Sequence, residues 1–468
     1  MPQDGPRRDV TEESGGSALD RLFFGAFLVA LLALAFVAGG VVSLAQVFPG
    51  PQIARAYEGG RALYAQLTHY AEVTDGDLWF PARTPERGVT LHDPERTMPG
   101  ATLYASGEAT VARLISGEGE VLHEWHRPFS EILAESDGEG IAAPRPDDFV
   151  YFRNVRLLPD GDLLAVIEGN GDTPYGYSLV RLDRDSELVW AYHGRAHHDL
   201  DVAPDGRVYT VTHAPVTHRL QGFGNLAEAW LEDYLVVLSP EGEEELKLPL
   251  TELVADSPYR HLLHTVSSYS VGDPLHTNTV NLIGPEAAAR MPFAEAGQVM
   301  LSFRELNAIG VVDPERGELV WAARGPWIGQ HDPDPLPNGN ILLFDNYGHY
   351  DLPEGISRVI EFDPLSKEIV WRYAGTAERP LDSAIRAEQQ RLANGNTLIV
   401  ESNAGRILEV TPEGELVWEF HNPARRGEAE EHVAIVASAR RVDLETLEPA
   451  FLARLPLPPQ MAKEASFR

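Results

Sequence analysis

The chain contains no cysteine. That excludes disulfides, iron–sulfur clusters, thiolate zinc sites and a cysteine nucleophile. It does not fix the compartment, because many exported bacterial proteins also lack cysteine. Positive charge is scarce as well: 38 Lys and Arg face 71 Asp and Glu, a formal net charge of −33. A surface of that sign repels phosphate backbones and argues against nucleic acid as a partner. Turn formers, by contrast, are abundant. The 468 residues include 41 Gly and 35 Pro without a low-complexity run, and 43% are hydrophobic. This composition fits many short strands around a sizeable core.

One apolar run stands apart. Residues 22–47 carry no charge over 26 positions. A helix needs about 20 apolar residues to span a bilayer, whereas a secretory signal has an apolar core of about 7–15. The run is therefore expected to stay as an anchor; cleavage at Ser43-Leu44-Ala45 is the alternative. Arg7, Arg8 and Arg21 precede the run, and Arg55 and Arg61 follow it. That balance favours a cytoplasmic N-terminus and an external C-terminal part. The expected layout is a cytoplasmic tail (1–21), a transmembrane anchor (22–47), a helical stalk or linker (48–87), a folded domain (88–455) and a C-terminal tail (456–468).

The folded part repeats itself. VARLISGEGEVLHEWH, VRLDRDSELVWAYHG, IGVVDPERGELVWAARG, VIEFDPLSKEIVWRYAG and ILEVTPEGELVWEFHNP align on Trp125, Trp190, Trp321, Trp371 and Trp418. A sixth copy, LVVLSPEGEEELKLPL, has Leu246 at the tryptophan position. Each copy alternates into a turn and out again, as a hairpin does. A second hairpin unit is interleaved: LLPDGDLLAV, VAPDGRVYTV, PLPNGNILLF and RLANGNTLIV. Two hairpins per period give four strands, and repeated four-stranded units make a β-propeller. The expected fold is thus all-β: a six-bladed β-propeller preceded by a transmembrane helix. The tryptophans are expected between blades. Residues 251–264 and 285–295 read as insertions within the third and fourth blades. A strand in the last segment, from about residue 433, is expected to close the ring.

Polar residues just ahead of innermost strands would converge near the axis. His198-Asp199 and His331-Asp332 each place the histidine eight residues before a turn glycine, Gly206 and Gly339. Equal register predicts that His198 and His331 face one cavity. His276 opens the alternating stretch LHTNTVNLIG, with Asn278 on the same face. Arg304, in MLSFRELNAIGVVD, is expected within a strand, where an arginine needs a partner or an anion. Asp199 and Asp332 either cap turns or orient the imidazoles. His197 reads as a hydrogen-bonding loop residue. His123, His126, His193, His213, His349 and His421 show no such register and read as surface or packing residues. Two chemistries suit three histidines and an arginine. One is a zinc centre, which a nearby cation disfavours. The other is transfer of an anionic group, with one histidine as nucleophile and another protonating the leaving oxygen.

Residues 88–444 resemble the bacterial arylsulfate sulfotransferases, the PAPS-independent arylsulfotransferase family. The resemblance is carried by GVTLHDPERTMPGATLYAS, ARLISGEGEVLHEWH, HHDLDVAPDG, HTNTV, SFRELNAI and GQHDPDPLPNGN, in that order. It implies a six-bladed propeller that moves a sulfuryl group from a phenyl sulfate to a phenol. The implied route is ping-pong through a sulfated histidine, with neither a nucleotide cofactor nor a metal. On this resemblance His331 is the nucleophile, while His198, His276 and Arg304 bind the sulfuryl group. One histidine shuttles the proton and Asn278 supports the site. The implied partners are an aryl sulfate, a phenol and, through the apolar helix, the membrane, with the propeller on the periplasmic side. The chain departs from the family's usual form in keeping an anchor and in placing Glu305 beside Arg304, where the strand pleat should turn it away. A rival reading is a non-catalytic, membrane-anchored propeller that binds a partner or envelope ligand.

Overall fold

The computed structural model describes residues 18–44, 78–348 apart from 137, 139 and 142, 357–459, and 461. Most of the stalk or linker expected at 48–87, up to residue 77, lies outside the described residues, as does His349. The chain forms two units, residues 1–74 and 75–468. In the first, Ala18–Leu44 is one helix, and residues 21–40 are long and apolar enough to cross a membrane. An uncleaved anchor and a secretory signal share that property.

In the second unit the interleaved turn sequences build identical hairpins. Leu158, Ala203, Leu336 and Leu392 each donate a backbone N–H to the carbonyl four residues on, at 2.8–2.9 Å. The turn glycines Gly161, Gly206, Gly339 and Gly395 all have φ near +90°. A side chain is strained there, which is why every copy ends its turn on glycine.

These hairpins pair with the tryptophan-bearing ones into six antiparallel sheets. The second sheet comprises Val150–Leu157, Leu163–Gly169, Gly176–Leu182 and Leu188–Tyr192. The third comprises Ala196–Val202, Val208–Val216, Trp230–Leu238 and Glu244–Pro249. The fourth comprises Thr277–Leu282, Val299–Phe303, Ala308–Asp313 and Glu318–Arg324. The fifth comprises His331–Pro335, Ile341–Asp345, Arg358–Phe362 and Ile369–Tyr373. The sixth comprises Glu388–Arg391, Thr397–Glu401, Arg406–Val410 and Leu416–His421, and Gly88–His92 adds a fifth strand. The first sheet joins both ends of the unit: Val436–Val442 pairs with Ala101–Ser106, followed by Val111–Ile115 and Val121–His126. A small seventh sheet pairs Trp79–Pro81, inside the segment expected as linker, with His432–Ala434 and Arg425–Arg426.

The leading strands, hereafter inner strands, touch in series. Val150–Leu157 lies against Ala196–Val202, then come Thr277–Leu282, His331–Pro335, Glu388–Arg391 and Val436–Val442, which returns to Val150–Leu157. Six apolar clusters fill the spaces between consecutive sheets, each drawing on two neighbours. Four tryptophans clamp these junctions through the indole N–H. Trp125 donates to Gly161 O (3.1 Å), Trp190 to Pro240 O (3.1 Å), Trp371 to Pro412 O (2.8 Å) and Trp418 to Gly117 O (2.8 Å). Each acceptor lies in a turn of the next sheet, and the last one leads back to the first sheet. Trp321 differs: it stacks on Phe293, 4.2 Å away, within the insertion of its own sheet. Trp125 is fully buried. Trp125→Ala should therefore cost about 3–5 kcal/mol, measured as a lowered denaturant midpoint.

The two expected insertions divide. Helix Pro285–Ala288 does interrupt the inner hairpin of the fourth sheet. Helix Leu250–Asp256 and the turn Arg260–Thr265 instead follow the last strand of the third sheet, and so connect sheets rather than interrupt one.

Candidate active site

Five of the six inner strands break register near their start. The breaks fall between Phe152 and Asn154, His197 and Leu200, Thr277 and Val280, His331 and Asp334, and Val436 and Ser438. A bulge turns a side chain away from the pleat, and bulges recur next to active sites. His198, His276 and Asp332 also adopt left-handed backbone, with φ of 57°, 47° and 52°. Such conformations cost energy in a non-glycine residue and concentrate at functional sites.

His331 pairs with Phe344 at the edge of its bulge. Its Nδ1 lies 2.8 Å from Asn346 Oδ1 and 3.1 Å from Gly329 O. Both are acceptors, so Nδ1 carries the proton and Nε2 keeps its lone pair. Burial pushes the imidazole pKa well below its ordinary value, and Arg304 and Arg153 push it further; Asn346 opposes them weakly. The neutral form of His331 is thus favoured, and no partner for its Nε2 is found among the described residues.

His198 and His276 stand together, ring centroids 5.0 Å apart. Tyr175 lies against both, at 5.5 and 5.6 Å. His276 Nδ1 is 2.5 Å from Asp273 Oδ2. Burial disfavours charge on His276, but Asp273 outweighs it and the pKa rises. His198 goes the other way: burial, then His276 and His197, hold it well below the ordinary range. His198 Nδ1 contacts His197 Nδ1 at 2.7 Å, and its backbone N–H donates to Glu168 Oε1 at 2.7 Å. Exposure grades across the group. His331 and His198 are 3% and 7% exposed, while the side chains of His276 and Arg304 are 23% and 22% exposed. The first two are thus the deeper pair and the second two the more exposed pair.

Several sequence expectations need correction. Arg304 is not within a strand; it begins the turn Arg304–Leu306 just after Val299–Phe303. Glu305 does not point away, because its Oε1 pairs with Arg304 Nη1. The turn breaks the strand alternation on which that expectation rested. His198 and His331 are not equivalent in register. His197 pairs with Val211 as His331 pairs with Phe344, because the bulge of the third sheet contains one more residue. Among the described residues, Asp199 and Asp332 bind no imidazole; they hold backbone and side chains of their own and neighbouring strands. Asp199 Oδ2 accepts from Val280 N (2.9 Å) and Asp332 Oδ2 from Gln389 N (3.0 Å), so each latches a neighbouring inner strand. Asn278 donates to Gln330 O at 2.9 Å, bracing the backbone next to His331.

Sequence reasoning missed Arg153, Tyr175, His197 and His213. Arg153 bears electrostatically on both His331 and His198. It is buried, its Nη1 donates to Ala437 O at 3.0 Å, and no carboxylate lies within ion-pair distance among the described residues. The signal was available: Arg153 stands eight residues before turn glycine Gly161, as His198 and His331 do before theirs. His213 is buried with its ring 4.4 Å from His197.

Among the described residues, two buried groups are close enough to hold a metal ion: Glu168–His197–His198 and His197–His213–Asp233. Existing hydrogen bonds oppose both. Glu168 Oε1 accepts from His198 N, and Oε2 accepts from the Tyr151 hydroxyl. Gly176 N donates to His213 Nε2 at 3.1 Å, which puts the ring proton on Nδ1. With that proton, His213 Nδ1 has no lone pair to give a metal, and its Nε2 is already an acceptor. A separate cavity of about 230 Å³ is lined by Arg83, Arg379, Arg406, Arg425, Glu419 and His421. Its arginines are already engaged: Arg83 with Glu401, Arg379 and Arg406 with Glu419, and Arg425 with backbone carbonyls.

An all-β protein with a buried, neutral histidine beside arginines and further histidines is suited to handling an anionic group. The chain belongs to the arylsulfotransferase (ASST) family, which residues 154–423, more than half of the sequence, match. Among the curated proteins none matches it. Similar solved structures include a protein of unknown function from Bacteroides caccae, with 14% identity, coverage of 73% of this chain and 98% of that one, and a TM-score of 0.45. Virginiamycin B lyase from Staphylococcus aureus shares 12% identity, covering 58% and 70%, with a TM-score of 0.33. The WD40 β-propeller domain of Doa1 shares 9%, covering 79% and 99%, with a TM-score of 0.38.

Proposed function

We propose that this protein transfers a sulfuryl group from a phenolic sulfate ester to a phenol, through a covalent intermediate on His331. One observation carries the reading: His331 is neutral, and Asn346 fixes its tautomer so that Nε2 is the unpaired nitrogen. In the first half-reaction Nε2 attacks sulfur and the S–O(aryl) bond breaks. The phenolate leaves with the bonding pair and takes a proton. In the second half the acceptor phenol loses its proton, its oxygen attacks sulfur, and the N–S bond breaks. Arg304, Arg153 and His276, whose charged form Asp273 favours, hold the sulfuryl oxygens while charge shifts among them. Family membership supports aryl sulfates and phenols as substrates. No nucleotide cofactor has a role in this sequence of steps.

The scaffold we propose is a closed six-bladed propeller spanning about residues 88–455. The series of inner strands and the Trp418–Gly117 hydrogen bond support closure. The apolar helix would anchor it in the membrane, with the propeller on the periplasmic side.

The test is incubation with 4-nitrophenyl sulfate and no acceptor. Intact-mass analysis should show one sulfuryl adduct, mapped to His331. Only the unprotonated imidazole attacks, and its pKa is depressed. Adduct formation should therefore hold its rate as pH falls through about 6.5, the ordinary histidine value. A rate that halves at that pH or above would contradict a depressed pKa. No adduct across a broad donor panel would leave the non-catalytic binding reading in its place.

A further inference from the structure

Sulfuryl transfer in two halves needs one group that acts first as acid and then as base. His276, more exposed than His198, has its charged form favoured by Asp273 and suits anion binding. His198 has the better connection. Its Nδ1 lies 2.7 Å from His197 Nδ1, so a single proton is shared between two ring nitrogens. Behind it, His197 Nε2 lies 3.5 Å from Asp233 Oδ1. Both of those atoms are buried and have no hydrogen-bond partner. Asp233 itself is fixed, because its Oδ2 accepts from Thr277 N at 2.7 Å. A buried nitrogen and a buried carboxylate oxygen left unpaired at this distance are costly. Catalytic hydrogen bonds that are long in the free enzyme often tighten when substrate binds. Glu168 from the second sheet, Tyr175 from a loop of that sheet, His213 from the third and His276 ahead of the fourth also face the histidine pair.

We infer that Asp233, His197 and His198 form a proton relay, which lets His198 Nε2 serve as acid in the first half-reaction and as base in the second. This rests on the sulfuryl-transfer reading above. The relay requires a starting state in which both His197 nitrogens hold a proton, Asp233 is the counter-ion, and His198 holds its proton on Nε2. As the S–O(aryl) bond breaks, His198 Nε2–H passes to the leaving oxygen. The shared proton crosses from His197 Nδ1 to His198 Nδ1. His197 is then neutral, with its remaining proton on Nε2 facing Asp233. The bare His198 Nε2 next removes the acceptor's proton, and the shared proton returns to His197. No proton is gained or lost over the cycle.

The relay predicts dependence on the leaving group. A phenolate with a pKa near 10 needs the acid; a nitrophenolate, being far more stable, does not. His197→Asn can still hydrogen-bond to His198 Nδ1 but cannot pass the proton on. Read without acceptor, as formation of the sulfuryl adduct, it should lower the rate from phenyl sulfate by about 30–100-fold and the rate from 4-nitrophenyl sulfate by less than about fivefold. The ratio of the two rates is independent of how much protein is folded. Asp233→Asn, which cuts the far end, should change the ratio in the same direction. Raising the pH until the acceptor phenol ionises should restore the second half-reaction in both variants. Equal losses on the two donors, or no loss, would overturn the relay. So would a changed ratio in His276→Asn but not in His197→Asn. A wild type that forms no adduct on His331 would sink the transfer reading itself, and the relay with it.

Discussion

His331→Asn should abolish both halves of the reaction, lowering turnover by on the order of 10⁴ or more, as loss of a covalent nucleophile does. Asparagine is the informative substitute. Its amide N–H can replace the Nδ1–H that donates to Asn346 Oδ1, so the local hydrogen bond survives. What disappears is the unpaired Nε2. With donor alone, the variant should give no mass increase, while its unfolding midpoint stays close to that of the wild type. An adduct that persists in His331→Asn would mean that another group attacks sulfur. His198 would then be the first to examine, because no partner for its Nε2 is found among the described residues.

The repeat was legible because its determinants are local. Turn glycines near φ +90° and alternating strands declare themselves residue by residue. The clamping tryptophans were legible too, except that Trp321 turns onto an insertion in its own sheet. The site was legible only in outline. Counting back from turn glycines found His198 and His331, and the same count would have found Arg153. It failed on His197, because a bulge can hold one residue more in one sheet than in the next, and a count assumes equal bulges. Tyr175 and His213 carry no repeat signal. Tyr175 comes from a loop and His213 from a second strand, and only the assembled sheets bring them to His197 and His198. The role of Glu305 was unreadable for a related reason: strand alternation stops where Arg304–Leu306 turns.

Arg304 gives the second large effect, and it can be told apart from a loss of structure. Its Nη1 is held by Glu305, whose other oxygen accepts from the Ser270 hydroxyl, so the guanidinium is fixed but not used up. Nε and Nη2 remain for the sulfuryl oxygens. Arg304→Met should lower turnover by about 10³, the upper range for loss of one preorganised donor at a site of developing charge. Arg304→Lys should recover part of this, because it restores charge without the planar fork. The sharper readout is pH. Burial is the main cause of the depressed pKa of His331, and Arg304 is the next. Removing the guanidinium raises that pKa toward the ordinary value. At any given acid pH more His331 is then protonated and unable to attack. The acid limb of adduct formation must therefore move to higher pH in Arg304→Met and return toward the wild-type position in Arg304→Lys. A purely structural role for Arg304 would lower the plateau and leave the limb where it is. That outcome would remove Arg304 from the site.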